Sequence, residues 1–170
     1  MKGFAAGVVV TLVCIAGAVY AYFAQGLAPV ATASRPMPFE RRLAQMALNV
    51  EIHKEMPKTV PIEASEANYL AGAHEYLINC AVCHGLPGKE KTAIARGEFP
   101  FPPELFKGKG VTDDPPGETY WKVANGIRLT GMPSFNQSLS ETQIWQISLL
   151  LANEDKLPSS VKAVLEGRSP

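Results

Sequence analysis

One short segment of the chain contains residue types that can bind a metal-containing cofactor. Cys80 and Cys83 are separated by two residues and His84 follows directly, which gives the pattern Cys-x-x-Cys-His. This is the attachment signature of c-type haem, in which two thioether bonds join the cysteine sulfurs to the two vinyl groups of one rigid macrocycle. The residue after the second cysteine then directs its imidazole at the iron. The motif predicts one haem c, attached through Cys80 and Cys83, with His84 as the proximal iron ligand.

Other kinds of site also use closely spaced cysteines. A thioredoxin-like dithiol has the same spacing but lies in a βαβ context, and the sequence around Cys80 does not have the β-branched strands of that context. A structural zinc site needs four ligands, and outside the motif only His53 and His74 remain, without a second pair of cysteines. A chance occurrence of five letters is the third interpretation. Haem attachment is the favoured hypothesis.

A second candidate ligand, Met132, lies in a predicted loop. The iron of an electron-transferring haem needs a sixth ligand, and a methionine thioether raises its reduction potential. Of the five methionines, only Met132 follows the haem motif, and it stands between Gly131 and Pro133. Glycine and proline impose a tight non-helical path on a loop. A lone methionine is often core filler, but that role is less natural in such a loop. The predicted iron ligands are therefore His84 and Met132.

Several separated segments of residues 66–155 resemble class I cytochromes c, the small bacterial monohaem kind. The segments are Cys80-Ala81-Val82-Cys83-His84-Gly85, Pro102-Pro103-Glu104-Leu105, Asn125-Gly126-Ile127 and Gly131-Met132-Pro133. They resemble the attachment site, the proline–x–leucine step, the glycine turn and the axial methionine loop of that family. The resemblance implies that the carbonyl of Pro103 accepts a hydrogen bond from the ring of His84 and fixes its orientation.

The resemblance and the helical patterns together predict an all-α fold. We expect a cytochrome c fold of four to five short helices around a covalent haem, preceded by one transmembrane helix. Ser65 can cap a helix over residues 66–79, and Ser140 opens a capping box for a helix through about residue 153. A third helix over residues 119–125 precedes the methionine loop. In the family the first and last helices cross at a glycine and two aromatic residues, and the matching positions here are Gly72, Tyr76 and Trp145.

The N-terminal segment is uncharged from residue 3 to residue 24. About 20 apolar residues cross the hydrocarbon core of a membrane, whereas the apolar stretch of a signal peptide is roughly 7–15 residues long. We therefore favour an uncleaved single-span anchor. The alternative is a signal peptide cleaved after Ala31-Thr32-Ala33, which has the small-x-small pattern of a processing site.

Four segments follow from these patterns. They are an anchor or signal peptide at 1–28, a spacer at 29–64, the cytochrome c domain at 65–157 and a C-terminal tail at 158–170. The spacer contains an amphipathic stretch with Phe39, Leu43, Met46, Ala47 and Val50 at helical spacing. A helix on the membrane or on a partner, and a helix packed on its own domain, are both open. The tail has only a weak helical pattern outside the family core.

Composition excludes one class of partner. Sixteen basic residues balance sixteen acidic ones, so there is no positive surplus to neutralise a phosphate backbone, and nucleic-acid binding is not expected. With His84 and Met132 on the iron, no coordination position remains for a small-molecule substrate, and no catalytic constellation is present. We expect an electron carrier and not an enzyme in its own right.

The resemblance also implies where the protein works. Bacteria attach haem c outside the cytoplasm, so we expect a single-pass protein of the inner membrane with its haem domain on the periplasmic side. The first hypothesis is a carrier that passes electrons between respiratory or other redox complexes. The second is a fixed haem c subunit of a larger membrane complex, such as a quinol-oxidising, dehydrogenase or terminal-reductase assembly, with the amphipathic stretch and the tail as docking surfaces. A haem enzyme or gas sensor is the third, and it requires that Met132 does not bind iron.

Overall fold

The computed structural model describes residues 2–107 and 113–167, and all regular structure within these ranges is helical. The all-α prediction is confirmed. The helices are α1 (Lys2–Ala24), α2 (Glu40–Glu55), α3 (Glu66–Asn79), α4 (Ala81–His84), α5 (Ala93–Gly97), α6 (Pro116–Asn125), α7 (Glu141–Ala152) and α8 (Ser159–Leu165). The chain divides into two compact units, Met1–Leu43 and Ala44–Pro170.

The first unit is dominated by α1, which has 23 residues and no buried side chain. Its mean hydropathy of 2.3 and its length are sufficient for a membrane span, and it lies near the N-terminus, where a signal sequence has the same properties. At 1.5 Å per residue a helix of this length matches a hydrocarbon core of about 30 Å.

The second unit is organised around the crossing of α3 and α7. Gly72 allows the two backbones to touch, because a Cβ at this position would overlap the main-chain carbonyl of Gln146. The side chain of Gln146 also donates to Asn68 Oδ1 at 3.0 Å. Both caps form as the sequence predicts: Ser65 accepts from the Asn68 N–H, and Ser140 makes a reciprocal capping box with Gln143.

Helix α8, which lies in the predicted C-terminal tail, is part of the core. Val161 and Leu165 of α8 are buried in one cluster with Tyr76 of α3 and Ile147 and Leu150 of α7. The sequence pattern understated this helix because α8 has only seven residues and its pattern rests on three apolar positions. Since its apolar side chains are covered within the unit, they cannot form the docking surface considered for a complex subunit.

The end of the spacer also packs on this unit. The Cα of Gly117, near the start of α6, lies so close to the carbonyl of Pro57 that a Cβ would overlap it. Trp121 Nε1 donates to Glu55 Oε2 at 3.1 Å, and Ile52 of α2 is buried. The end of α2 and the residues after it are therefore joined to α6. The position of α6 in turn matters for the site, because the predicted methionine loop begins where this helix ends.

Trp145 lies beside α6. Its ring stacks on Tyr120 with centroids 4.3 Å apart, while Tyr76 makes an edge-to-face contact with Phe106 at 5.0 Å. Tyr76 and Trp145 thus connect the α3–α7 crossing to two other segments. Tyr76 contacts the segment after Pro103, and Trp145 contacts α6, which precedes the methionine loop.

Candidate haem-binding site

The two cysteines lie on a single helical turn. The N–H groups of Cys83 and His84 donate to the carbonyl of Cys80 at 3.1 and 2.9 Å, which forms α4 directly after α3. Gly85 ends this turn with a φ of +76°, a conformation that glycine adopts at no steric cost. One turn therefore holds two sulfurs at fixed spacing and is followed by a sharp change of chain direction.

His84 is oriented by a main-chain carbonyl. Its Nδ1 atom lies 2.9 Å from the carbonyl oxygen of Pro103, and the side chain is half-buried. A carbonyl only accepts, so Nδ1 holds the proton and Nε2 retains its lone pair. Burial lowers the pKa of His84, although the hydrogen bond to Pro103 acts in the opposite direction. The lowered pKa favours the neutral ring, which is the form that binds metals.

The thiols of the motif are not of the reactive kind. Burial raises the pKa of Cys80 to about 12, and burial followed by a hydrogen bond to Glu98 raises the pKa of Cys83 to about 11. A redox dithiol needs a lowered pKa. Within the described ranges, no group of three or more histidine, cysteine, aspartate or glutamate side chains could hold a metal ion. His53 and His74 are both exposed. These observations argue against the dithiol and zinc interpretations.

The loop of Met132 is closed by main-chain hydrogen bonds. The N–H of Ile127 donates to the carbonyl of Met132 at 3.1 Å, and the N–H of Phe135 returns to the carbonyl of Val123 at 3.0 Å. Gly126 has a φ of +67°, and a Cβ there would come within 2.6 Å of the backbone of Pro133. The glycine is therefore required both by the turn and by the close approach of the returning chain.

The side chain of Met132 has an apolar support. It is half-buried and packs against the cluster of Val123, Ala124 and Ile144, which joins α6 to α7. Its own N–H donates to Thr130 Oγ1 at 3.1 Å. The loop path that Gly131 and Pro133 predicted is thus fixed on both sides, with the thioether neither free in solvent nor sealed in the core.

Glu98 connects the cysteine turn to the methionine loop, and sequence reasoning did not identify it. Its Oε1 accepts from Cys83 Sγ at 3.0 Å, and its carboxylate lies against Gly131, where a Cβ would overlap it. A single glutamate outside any motif gives no sequence signal from which these two contacts could be predicted. Because the Glu98 side chain can move, this contact alone does not require glycine at position 131.

The residues present fit a covalent haem. Two protonated thiols lie one turn apart, a neutral imidazole has a free Nε2, and a thioether is held in a closed loop. Large apolar side chains remain exposed on the segments beside these groups: Val82, Ile94, Phe101 and Leu129. A macrocycle with an apolar body and iron at its centre matches both the donor atoms and this surplus of apolar surface.

The fold and the site define a c-type cytochrome. Residues 67–149 match the model of a protein family described as cytochrome c oxidase, cbb3-type, subunit III, and Cys80, His84, Pro103 and Met132 all lie within the matched segment. The chain therefore contains a c-type cytochrome domain, and this domain binds haem c covalently, with its iron.

A solved structure has the same overall fold. A chain of the reducing HAO-like protein complex from Kuenenia stuttgartiensis aligns with a TM-score of 0.50 and 22% sequence identity. The alignment covers 72% of this chain and 52% of that chain, so this protein spans about half the length of its structural neighbour. No curated protein matches the chain.

Proposed function

We propose that this protein is a membrane-anchored, single-haem cytochrome c that transfers one electron at a time between respiratory or other redox complexes. The observation that supports this most is the orientation of His84 by the Pro103 carbonyl, directly after a turn that presents two cysteines. In this proposal Cys80 and Cys83 would form the thioether bonds, and His84 and Met132 would hold the iron.

The proposed role of the polypeptide is to keep His84 and Met132 as the iron ligands in both oxidation states. When bound, haem supplies an iron that alternates between the ferrous and ferric states. Pro103 holds the His84 ring through its N–H, and the hydrogen bonds of the 126–135 loop hold Met132. Because His84 and Met132 would both hold the iron, no coordination position would be left for a substrate. The chain is then a carrier and performs no substrate chemistry of its own.

The proposed location follows from α1 and from haem attachment. A helix of this length and hydropathy, if retained, anchors the chain in the inner membrane. Since bacteria attach haem c outside the cytoplasm, the haem domain would face the periplasm. An anchor confines the carrier to two dimensions near its redox partners.

The attachment chemistry can be tested with cysteine variants. We expect Cys80→Ala combined with Cys83→Ala to abolish haem that stays on the chain under denaturing conditions, as seen by haem staining after denaturing electrophoresis. Cys14→Ala is the matched control, because Cys14 lies in α1, outside the haem domain, and should leave the stain unchanged. Haem that remained attached in the double variant would contradict the proposed thioether bonds.

A second candidate function is a fixed haem c subunit of a larger membrane oxidoreductase. The family description favours it, since it names a subunit of an oxidase. Purification of the intact chain from membranes in a mild detergent separates the two functions. A carrier is obtained as a lone 18.3 kDa haem protein, whereas a subunit is obtained in a complex of fixed stoichiometry.

A further inference from the structure

Helix α2 has two apolar faces on opposite sides. One face contacts the haem domain: Ile52 is buried, Leu48 is half-buried, and Glu55 accepts a hydrogen bond from Trp121. At 3.6 residues per turn, Leu43, Met46 and Val50 lie together on the other side of the helix. A helix that is apolar on both sides needs cover on both sides.

The second face has no cover in the described structure. Leu43, Met46 and Val50 are 60, 54 and 63% exposed, and Phe39, just before the helix, is exposed as well. Three large apolar side chains at a spacing of three and four residues form one continuous stripe. Isolated apolar side chains on a surface need no explanation, but a stripe along a helix marks a binding surface.

The charges beside this stripe indicate what covers it. Arg42 and Lys54 lie on its two flanks, while Glu51 and Glu55 lie nearer the face that packs on the domain. Lys54 pairs with Glu51 at 3.6 Å, but an exposed pair of this kind contributes little and is readily exchanged for another anion. An apolar stripe with basic flanks matches the boundary between acyl chains and anionic headgroups.

The position of α2 in the chain points to the same partner. Only residues 25–39 separate it from the end of α1, and a segment of that length reaches at most roughly 50 Å when fully extended. A chain anchored by α1 therefore always keeps α2 within that reach of the membrane surface. The high local concentration of lipid makes binding of even a short stripe effective.

We propose that the Leu43–Met46–Val50 stripe of α2 lies in the membrane–water interface, with Arg42 and Lys54 at the level of the lipid phosphates. This inference rests on the proposed membrane attachment through α1. Because the end of α2 is joined to the haem domain through the Glu55–Trp121 hydrogen bond and the buried Ile52, lipid binding orients the haem domain relative to the membrane. The haem is then presented to partners at a set height and angle rather than on a free tether.

The test uses spin labels on the full-length haem protein in vesicles of phosphatidylethanolamine and phosphatidylglycerol. Cys14→Ser removes the free thiol of α1, and Met46→Cys or Val50→Cys provides the labelling site. Lys156→Cys is the control, because the side chain of Lys156 is 77% exposed and lies outside both α2 and the segments beside the proposed haem ligands. The haem is kept reduced, and the accessibility of each label to oxygen and to a water-soluble nickel chelate is measured.

We expect the ratio of oxygen to nickel accessibility at positions 46 and 50 to exceed that at position 156 several-fold. Equal ratios would show a water-exposed stripe and overturn the inference. Low accessibility to both reagents would show a stripe covered by protein, such as a second copy of the chain, and would overturn it too. The intact mass of the same sample reports whether α1 is retained, so a failed anchor is distinguished from a failed α2 interface.

Discussion

The Nδ1 atom of His84 and the carbonyl oxygen of Pro103 lie 2.9 Å apart across 19 residues of sequence. This hydrogen bond fixes the tautomer of the ring and leaves Nε2 available on the opposite side. A donor bond from the remote ring nitrogen also increases the basicity of a metal-binding imidazole. The relationship therefore defines both the direction and the donor strength of the proposed proximal ligand.

Pro103→Gly should raise the reduction potential. Glycine frees the backbone at this position and weakens the bond from His84, which stabilises the ferric state more than the ferrous state. A difference of about 1 kcal/mol between the two states corresponds to roughly 40 mV for a one-electron couple. Redox titration followed by absorbance measures the shift. Pro61→Gly, in the exposed segment before α3, is the control, and an identical potential in the two variants would speak against the role of Pro103.

Gly126→Ala should weaken the binding of Met132 to iron. The new Cβ would meet the backbone of Pro133 and Ser134 at 2.6 Å, so the loop has to open. Gly88→Ala is a matched control, because Gly88 has a similar φ of +65° but nothing within 4 Å of its Cβ position. Both variants acquire backbone strain of about 1 kcal/mol, but only the first should lose intensity in the methionine–iron absorption band. Equal loss in both variants would mean that strain, and not the close approach to Pro133, governs the loop.

Leu165→Ala should destabilise the haem domain by about 2–4 kcal/mol, since it leaves a cavity in the core shared by α3, α7 and α8. Urea unfolding followed by circular dichroism in the haem absorption region gives the free energy. Ile78→Ala on the exposed side of α3 should change it by less than about 0.5 kcal/mol. If the two variants were equally stable, α8 would not belong to the core.

The environment of Tyr76 leads us to expect that the free energy of unfolding falls at alkaline pH. Its buried hydroxyl donates to the carbonyl of Gly85 at 2.8 Å, and burial raises its pKa above the ordinary value of 10.0. The folded chain therefore holds a proton that the unfolded chain releases, so this contribution is complete below about pH 10 and declines above it, by up to about 1.4 kcal/mol per pH unit. Urea unfolding between about pH 8 and pH 11 measures the decline.

Tyr76→Phe separates this effect from other alkaline changes. The variant should be about 1 kcal/mol less stable at neutral pH, because the Gly85 carbonyl loses its donor. Above pH 10 its free energy of unfolding should fall less steeply than that of the parent protein. Parallel slopes would show that Tyr76 does not titrate in this range.

Local signals explain which parts of this fold could be predicted from sequence. Ser65 and Ser140 begin α3 and α7 because a capping side chain needs only its own next three residues. The motif of Cys80, Cys83 and His84 is likewise contained in one turn. Gly72 was placed at the helix crossing by its match to a family position, and the structure gives the steric reason.

The features that escaped prediction join residues far apart in sequence. Glu98 contacts the cysteine turn and the methionine loop, and the Pro57 carbonyl lies against Gly117. Residue spacing does not predict such contacts, because they depend on how distant segments of the chain pack against each other. The packing of α8 in the core could not be predicted for a related reason. Seven residues show little periodicity, and the burial of Val161 and Leu165 depends on α3 and α7.

The optical spectrum and potential of Met132→Ala test the central claim most directly. The oxidised parent protein should show a weak methionine–iron charge-transfer band at the red end of the spectrum. Met132→Ala should abolish it and lower the reduction potential by on the order of 100 mV. Met46→Ala, an exposed methionine of α2, should change neither. A parent protein without the band, or a Met132→Ala variant with an unchanged spectrum and potential, would contradict an iron held between His84 and Met132.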